Sequence, residues 1–188
     1  GGMATTNNKK LIEKLNLYKT HGITKEKKKF QFKTNNLFYY EQQLLGYNFR
    51  MTDIQAALGN SQLKKLNKFI KLRNSIANNY NKNFVNLPIQ TPNKKNSRIL
   101  HAFHLYVIRV KDRFNLQKHL TKNGVDTGIH YPTPLPFLEA YTYLGHHPTD
   151  FPIVYKYKDE ILSLPMYPEL THTQINYIVK AINSFLNL

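Results

Sequence analysis

The sequence contains no cysteine, few acidic residues and no long hydrophobic run, and each shortage excludes a class of protein. Without cysteine, the 188 residues form no disulfide and no thiolate metal site, which fits a cytoplasmic protein. Every apolar run is well short of the roughly 20 residues that a membrane-spanning helix needs. The N-terminus also lacks the basic and then apolar pattern of a signal peptide. We therefore expect neither membrane insertion nor a disulfide-rich secreted scaffold.

Acidic residues are scarce, with 11 Asp and Glu against 27 Lys and Arg, and the formal net charge is +16. The excess is concentrated in residues 1–100, which carry 19 basic and only 4 acidic residues. A basic half of this kind would suit a nucleic acid or another polyanion. However, lysine and asparagine are enriched together, as a low-GC genome imposes on surface positions, and no nucleic-acid-binding motif is present. A polyanion-binding module is therefore the alternative hypothesis, and no specific nucleic-acid partner is expected.

The first part of the chain shows one short helix and one long one. After two glycines and a short predicted strand, apolar residues at helical spacing predict a helix over residues 8–18, which Gly22 would end. Residues 24–45 resemble a loop, and their lysine-rich stretch is expected to be solvated. A helical pattern then covers residues 52–84, with a predicted kink or break at Gly59 because glycine weakens a helix interior.

The second part of the chain predicts a small α+β domain. Residues 85–98, rich in proline and polar residues, indicate a linker or a surface hairpin. The order that follows is strand, helix, strand, short helices, strand and helix, which indicates a short sheet flanked by helices. The strands are predicted at residues 101–110, 125–129 and 163–168, and the helices at residues 112–122, 137–144, 155–162 and 175–185. Residues 130–136 contain three prolines and predict a rigid, non-helical loop.

The junction between loop and long helix is the clearest candidate site. Thr52 and Gln55 have the spacing of a capping box, directly before an apolar run. Free backbone N–H groups and the positive end of the helix dipole attract anions at such a start. The spacing alone indicates a structural junction, and an anion site near Asn48 is the functional alternative.

The eight histidines do not form a recognisable metal motif. His101 and His104 would point to opposite faces of the predicted strand, and no His-Glu-x-x-His spacing occurs. The sequence also lacks a Gly-x-Ser-x-Gly elbow, a Gly-x-Gly-x-x-Gly turn and a Walker loop. We therefore predict no metal site.

The identities of residues 46–59 are more informative than the spacing of their polar groups. These residues are Gly-Tyr-Asn-Phe-Arg-Met-Thr-Asp-Ile-Gln-Ala-Ala-Leu-Gly. This stretch closely resembles a signature of the DegT/DnrJ/StrS family of nucleotide-sugar aminotransferases, which are pyridoxal-phosphate (PLP) enzymes of fold type I. Further landmarks follow in the family's order, namely Gly-Gly-Met at 1–3, His-Gly-Ile at 21–23, Ile-His-Tyr-Pro at 129–132, Asp-Phe-Pro at 150–152 and Ser-Leu-Pro-Met-Tyr-Pro at 163–168.

The resemblance implies that the chain is the C-terminal half of an α/β PLP-dependent transferase of fold type I. Residues 1–51 would be the end of the large PLP-binding domain with an active-site loop. Residues 52–98 would be a long linking helix and linker, and residues 99–188 the small C-terminal α+β domain.

The resemblance also assigns roles to individual residues. Asn48 would hydrogen-bond the PLP phosphate of the neighbouring subunit in a homodimer, with Arg50 beside it as a fixed cation. His130 and Tyr131, together with Thr133 in the same loop, would line the nucleotide-sugar pocket. His21 is expected near that pocket.

The implied reaction transfers an amino group, from glutamate, to a nucleotide-linked keto-sugar for amino-sugar or surface-polysaccharide biosynthesis. The Schiff-base lysine, and the acid that keeps the pyridine nitrogen protonated, are expected upstream of Gly1. No catalytic residue is therefore assigned within the 188 residues, and we predict that this chain alone does not transaminate. A catalytically dead PLP-fold protein or a sensory relative is the alternative within the same fold.

Overall fold

The structure, a computed structural model, describes residues 2–92 and 99–187. The chain divides into two compact units, Gly1–Lys64 and Lys65–Leu188, and the boundary falls inside the longest helix. In chain order the helices and strands are α1 (Lys9–Lys19), β1 (Ile23–Thr24), β2 (Glu41–Gln42), α2 (Asp53–Phe84), β3 (Tyr106–Arg109), α3 (Arg113–Lys122), α4 (Pro152–Tyr157), β4 (Ile161–Leu164) and α5 (His172–Phe185).

The first helix of the N-terminal unit forms as predicted. Asn8 caps it, and the Asn8 side chain accepts a hydrogen bond from the Leu11 N–H at 3.2 Å. At the other end, the Gly22 N–H reaches the Leu17 carbonyl at 2.7 Å, with Gly22 at a φ of +69°. The strand predicted before the helix is wrong, because residues 2–7 pair with no strand in the described chain, and Gly1 lies outside the described residues.

Residues 24–45 contain more structure than the loop that the sequence predicted. A 3-10 turn covers Lys27–Lys29, and β2 pairs antiparallel with β1, with Ile23 opposite Gln42. The pairing was missed because a two-residue ladder carries no detectable alternation of apolar and polar residues.

The long helix α2 forms, but the break predicted at Gly59 is wrong. The helix continues for 32 residues, and a Cβ added at Gly59 would meet no atom within 4 Å. One glycine costs a helix about 1 kcal/mol, which does not break a helix whose far end is packed. The predicted capping box is confirmed: the Gln55 N–H donates to Thr52 Oγ1 at 3.3 Å, and the Thr52 N–H donates to Gln55 Oε1 at 3.1 Å.

The sheet of the C-terminal unit is the antiparallel pair β3 and β4, with Tyr106 opposite Leu164. Single bridges extend it on both sides, one from Gln90 to Arg109 and one from Gly128 to Ser163. The predicted strand over residues 125–129 is thus reduced to the Gly128 bridge. Of the predicted linker, residues 85–92 are described, whereas residues 93–98 lie outside the described part of the chain.

The strand predicted at residues 101–110 is shorter than expected, and its start is replaced by a turn. Phe103 has a φ of +44°, which no regular strand accommodates. Arg73 of α2 holds this turn, because its guanidinium donates to the Phe103 carbonyl at 2.9 Å and to the His104 carbonyl at 3.2 Å. His101 and His104 therefore do not lie on a strand, and the prediction that they point to opposite faces of one is wrong.

The helix predicted at residues 155–162 is misplaced. The structure has α4 at Pro152–Tyr157, which begins at a proline, and β4 at Ile161–Leu164. Proline suits the first turn of a helix, so α4 begins at Pro152. The apolar residues of β4, which follow α4, pair with β3. The predicted helix at residues 137–144 forms as a 3-10 helix over Glu139–Leu144.

The remaining predictions in this unit have mixed outcomes. The loop over residues 130–136 is not wholly non-helical, because a 3-10 turn covers Leu135–Phe137 with its proline near the start. Helix α3 is confirmed, although the Asp112 side chain makes no capping hydrogen bond. Helix α5 is also confirmed, and Thr171 and Gln174 form the predicted capping box.

Among the residues that the structure describes, the hydrophobic core lies in the C-terminal unit. Its fully buried large side chains come from α2, β3, α3, β4, α5 and the turn before β3, and they are Tyr80, Phe84, Phe103, Tyr106, Ile108, Leu116, Leu120, Leu162, Ile175 and Ile182. In contrast, the N-terminal half of α2 leaves its apolar residues in solvent, with Ile54 83% and Leu58 61% exposed. No described helix is long and apolar enough to cross a membrane.

Candidate functional site

The loop that carries Asn48 is held against the end of α1 by backbone hydrogen bonds. The His21 N–H donates to the Tyr47 carbonyl at 2.8 Å, and the Phe49 N–H donates to the Lys19 carbonyl at 2.9 Å. Gly22 and Gly46 allow this approach, because a Cβ at Gly46 would lie 2.3 Å from the Gly22 nitrogen. The backbone around Asn48 is therefore fixed by the neighbouring segment.

Asn48 and Arg50 contact each other directly. Arg50 Nε donates to Asn48 Oδ1 at 2.8 Å, and both side chains are exposed. The bond uses the amide oxygen, so Asn48 Nδ2 and the terminal guanidinium N–H groups keep their donor capacity. These donors precede the start of α2 at Asp53. The pair therefore presents several hydrogen-bond donors and a positive charge to an incoming group.

A cavity of about 590 Å³ in the N-terminal unit is lined by both His21 and Arg50. Lys25 and Lys27 line it too, and no carboxylate is among its lining residues. Both lysines are exposed, as the sequence predicted, but a lysine run carries no sign that its loop folds around a cavity. Asn48 is not one of the lining residues, and among the sites predicted from the sequence only His21 and Arg50 meet in this cavity.

Glu41 anchors the loop beside this cavity, and its partner Tyr39 is one of the lining residues. Its carboxylate accepts hydrogen bonds from the backbone N–H groups of Gln31 at 2.6 Å and Phe32 at 3.0 Å, and from the Tyr39 hydroxyl at 3.0 Å. Partial desolvation raises the pKa of Glu41, but the hydrogen bonds lower it, and the net pKa lies below its ordinary value. Nothing in the sequence marks this carboxylate as an anchor, because the two backbone N–H groups that it accepts from lie 10 and 9 residues before it.

We expect the loop held by Glu41 to loosen in acid. Because the pKa of Glu41 is lower when folded than when unfolded, its stabilising effect is complete above the ordinary glutamate pKa of about 4.3 and is lost as pH falls through the folded pKa. The protection factors of the Gln31 and Phe32 amides, which compare the observed exchange rate with the intrinsic rate at the same pH, should therefore fall on acidification. In the Glu41→Gln variant, the protection of these two amides should already be low at neutral pH and should not depend on the titration of residue 41. Protection equal to that of the parent would contradict the role of Glu41 as an anchor.

The other predicted residues lie in the C-terminal unit, in the loop after the Gly128 bridge. His130 Nδ1 lies 2.9 Å from Ser163 Oγ, and the ring of Tyr131 packs edge-on against the His130 ring at 5.5 Å. Tyr131 is 69% exposed. Tyr131 and Thr133 line a second cavity of about 420 Å³, whose other lining residues are prolines and leucines. Of these predicted residues, His130 and Tyr131 are therefore in ring contact, and Tyr131 and Thr133 share a cavity.

Ser163 was missed as a contact of His130, although the sequence placed it at the start of a strand. The two residues are 33 positions apart, and no motif connects them. His101, in contrast, serves a local structural purpose, because its Nδ1 accepts the Phe103 N–H at 2.9 Å. Over residues 2–92 and 99–187, no group of three His, Asp or Glu side chains is arranged to hold a metal ion.

Comparison with known proteins places these features in one class. The fold matches Spr1654 of Streptococcus pneumoniae, described as a sugar aminotransferase in its PMP form, with a TM-score of 0.83 and 26% identity over 97% of this chain and 46% of that chain. Such a likeness over a mixture of helices and short sheets defines the C-terminal part of a fold type I transferase. The sequence matches the DegT/DnrJ/EryC1/StrS aminotransferase family over residues 1–183, and the chain belongs to that family.

Two curated relatives illustrate the range of the family. The dTDP-3-amino-3,6-dideoxy-alpha-D-galactopyranose transaminase of Aneurinibacillus thermoaerophilus is 31% identical over 98% of this chain and 47% of its own length. The erythromycin biosynthesis sensory transduction protein EryC1 of Saccharopolyspora erythraea is 31% identical, again over 98% of this chain and 47% of its own. The chain therefore spans about half the length of the curated relatives that it matches.

Proposed function

We propose that this chain contributes the phosphate-binding loop and the sugar-side loop of a PLP-dependent aminotransferase. The enzyme would transfer an amino group, from glutamate, to a nucleotide-linked keto-sugar in amino-sugar or surface-polysaccharide biosynthesis. The observation that carries the proposal is the Asn48–Arg50 pair, fixed before the start of α2 in a segment with the family's signature. The transaminase that acts on a dTDP-linked sugar is the relative that supports the substrate class.

The donor set of this loop fits the phosphate of PLP. Asn48 Nδ2 and the free N–H groups of Arg50 supply neutral and charged donors, and no carboxylate lines the neighbouring cavity. When bound, PLP would supply the electron sink for amino transfer. The task of Asn48 and Arg50 would be to hold its phosphate and fix its position, whereas the lysine that binds it covalently is assigned to another segment.

Replacing Asn48 by alanine should weaken PLP binding. In an assembled enzyme that contains this chain, we expect the dissociation constant of PLP to rise about tenfold, which corresponds to the loss of one charge-assisted hydrogen bond. Arg50→Ala should have a similar or larger effect, because it removes both a charge and the partner of Asn48. The measurement is a PLP titration followed by the absorbance of the bound cofactor.

Asn60→Ala is the matched control, because Asn60 is an exposed asparagine on α2. PLP affinity should be unchanged in this variant. Equal PLP affinity in the parent, Asn48→Ala and Arg50→Ala proteins would rule out the proposed phosphate site.

The sugar side of the site is proposed for His130, Tyr131 and Thr133, with His21 near the same substrate. A histidine and a tyrosine in a proline-rich loop offer a stacking surface and hydrogen bonds to a sugar or nucleotide. The exposure of Tyr131 and its edge-on contact with His130 support this role. The same proposal includes the domain assignment. Residues 1–51 would be the end of the PLP domain, residues 52–98 the link, and residues 99–188 the small domain.

A homodimer in the cytoplasm is the proposed assembly, as expected from the family resemblance. Ile54 and Leu58 on α2 support it, because their exposed side chains offer apolar surface for burial by a second subunit. Since the chain spans about half of its curated relatives, the proposal assigns the catalytic lysine to the other half of the fold.

The 188-residue chain by itself is accordingly expected to catalyse no transamination. The measurement is an assay of the purified chain with PLP, glutamate and a nucleotide-linked 4-keto-sugar. Detectable turnover would contradict the assignment of the lysine to another segment.

A further inference from the structure

The imidazole of His130 is confined more closely than its surface position suggests. One ring nitrogen, Nδ1, lies 2.9 Å from Ser163 Oγ, and Ser163 is only 5% exposed. The main chain of Ser163 is fixed as well, because its N–H and C=O both pair with Gly128 across the bridge at 2.7 and 3.1 Å. The hydroxyl that meets His130 therefore stands on a rigid strand.

The absence of a side chain at Gly128 makes room for the imidazole ring of His130. A Cβ added at Gly128 would lie 2.7 Å from His130 Cε1, a distance that real Cβ atoms do not adopt. The ring thus lies against a position that has no side chain, with Ser163 at its Nδ1 and Tyr131 edge-on at 5.5 Å. These contacts leave the imidazole little freedom to turn.

The hydroxyl of Ser163 also distinguishes the two neutral tautomers of the ring. A buried hydroxyl hydrogen needs an acceptor, and His130 Nδ1 is the single side-chain partner of Ser163 Oγ in the described residues. If Nδ1 carried the proton, Ser163 would accept it, and its own hydrogen would be left without that acceptor. When Ser163 donates instead, Nδ1 is the acceptor and the proton resides on Nε2.

We infer that Ser163 and Gly128 are positioning residues that hold neutral His130 as the Nε2–H tautomer. Nε2 has no hydrogen-bond partner among the residues that the structure describes, so it is available as a donor. This inference rests on the proposed function for one step only, namely that the oxygen met by Nε2–H belongs to the nucleotide sugar. His130 would then recognise a substrate oxygen as a donor and would not act as a base through Nε2.

The tautomer can be measured without any substrate. Long-range proton–nitrogen correlation spectra of the ¹⁵N-labelled chain, at a pH where the imidazole is neutral, distinguish a protonated ring nitrogen from an unprotonated one. We expect His130 to show protonated Nε2 and unprotonated Nδ1, without averaging. Ser163→Ala should convert these signals to those of an exchanging mixture, and Gly128→Ala should move them because the added methyl displaces the ring.

The chain offers a matched control in a second serine–histidine pair. His119 Nε2 lies 3.1 Å from Ser184 Oγ, so Ser184→Ala should change the His119 signals and leave those of His130 unchanged. A protonated Nδ1 on His130 in the parent chain, or an unchanged His130 spectrum in Ser163→Ala, would overturn the inference. Unchanged amide spectra away from residues 128–130 and 163 would show that the variants are folded.

Steady-state kinetics of an assembled enzyme that contains this chain tests the step that depends on the proposed function. Ser163→Ala should raise KM for the nucleotide sugar about tenfold through loss of one oriented hydrogen bond, with KM for the amino donor unchanged. If the tautomer is as expected but KM for the sugar does not change, the substrate role of His130 fails. A Nδ1–H tautomer overturns the positioning role whatever the kinetics show.

Discussion

Gly22→Ala is expected to unfold much of the N-terminal unit. An alanine Cβ at this position would lie 1.8 Å from the Leu44 carbonyl oxygen and 2.7 Å from its carbon, and both are main-chain atoms that cannot rotate away. The φ of +69° adds a penalty of about 1–2 kcal/mol for any residue with a Cβ. Forcing apart packed atoms adds roughly 1–3 kcal/mol, so a total of about 2–5 kcal/mol is expected.

The site should be lost with the fold, because Gly22 lies where the Asn48 loop meets the end of α1. Amide exchange measures this directly: residues 9–24 and 41–49 should lose protection in Gly22→Ala. The C-terminal unit has its own core and should keep the protection of α3 and α5. Equal protection of residues 9–24 in the variant and the parent would contradict the close packing of Gly22 against Leu44.

Gly59→Ala is the matched control for this variant. The same substitution in the interior of α2 meets no atom within 4 Å and removes the entropic cost of glycine. We expect it to stabilise the helix by about 0.5–1 kcal/mol. The two glycines therefore predict effects of opposite sign, and urea titrations followed by circular dichroism compare them directly.

Tyr80→Ala is expected to remove the centre of the C-terminal core. Tyr80 is fully buried, its ring stacks on Phe84 at 5.6 Å and meets Tyr106 at 4.9 Å, and its hydroxyl donates to the Pro165 carbonyl at 3.1 Å. Burial raises the pKa of Tyr80 above its ordinary value, so the phenol stays neutral and keeps its proton for Pro165. Truncating a buried aromatic side chain costs about 3–5 kcal/mol.

Two further variants divide this cost into its parts. Tyr80→Phe keeps the ring and loses the hydroxyl, and should cost about 1 kcal/mol because the Pro165 carbonyl loses its donor. Tyr143→Ala removes a tyrosine that is 78% exposed and should change stability by less than about 0.5 kcal/mol. If urea titration gave Tyr80→Ala the same free energy of unfolding as Tyr143→Ala, the assignment of Tyr80 to the core would be wrong.

The sequence was most successful where a structure depends on neighbouring residues. Thr52 with Gln55 and Thr171 with Gln174 form their capping boxes because the partners are three residues apart. Asn8 caps α1 through an equally local bond, although the sequence placed Asn8 inside the helix. The Asn48–Arg50 contact is also local, since these side chains are two residues apart.

The sequence failed where distant residues decide the backbone. The turn that shortens β3 depends on Arg73, whose guanidinium lies 30 positions before Phe103 and also holds the Met166 carbonyl at 2.8 Å. The limits of α4 and β4 were misplaced because a short apolar run fits a helix or a strand equally well. Pairing with β3 settles residues 161–164 as a strand, and pairing is a long-range property.

The sequence by itself determined the family, the capped helices and the Asn48 loop, because motifs and caps are written in consecutive residues. The tertiary structure alone decided which side chains support them. It brought Lys25 and Lys27 to the cavity of Arg50, tied two backbone amides to Glu41, and set Ser163 against His130. These contacts join residues that are distant in the chain, and their energies depend on a fold that no short stretch specifies.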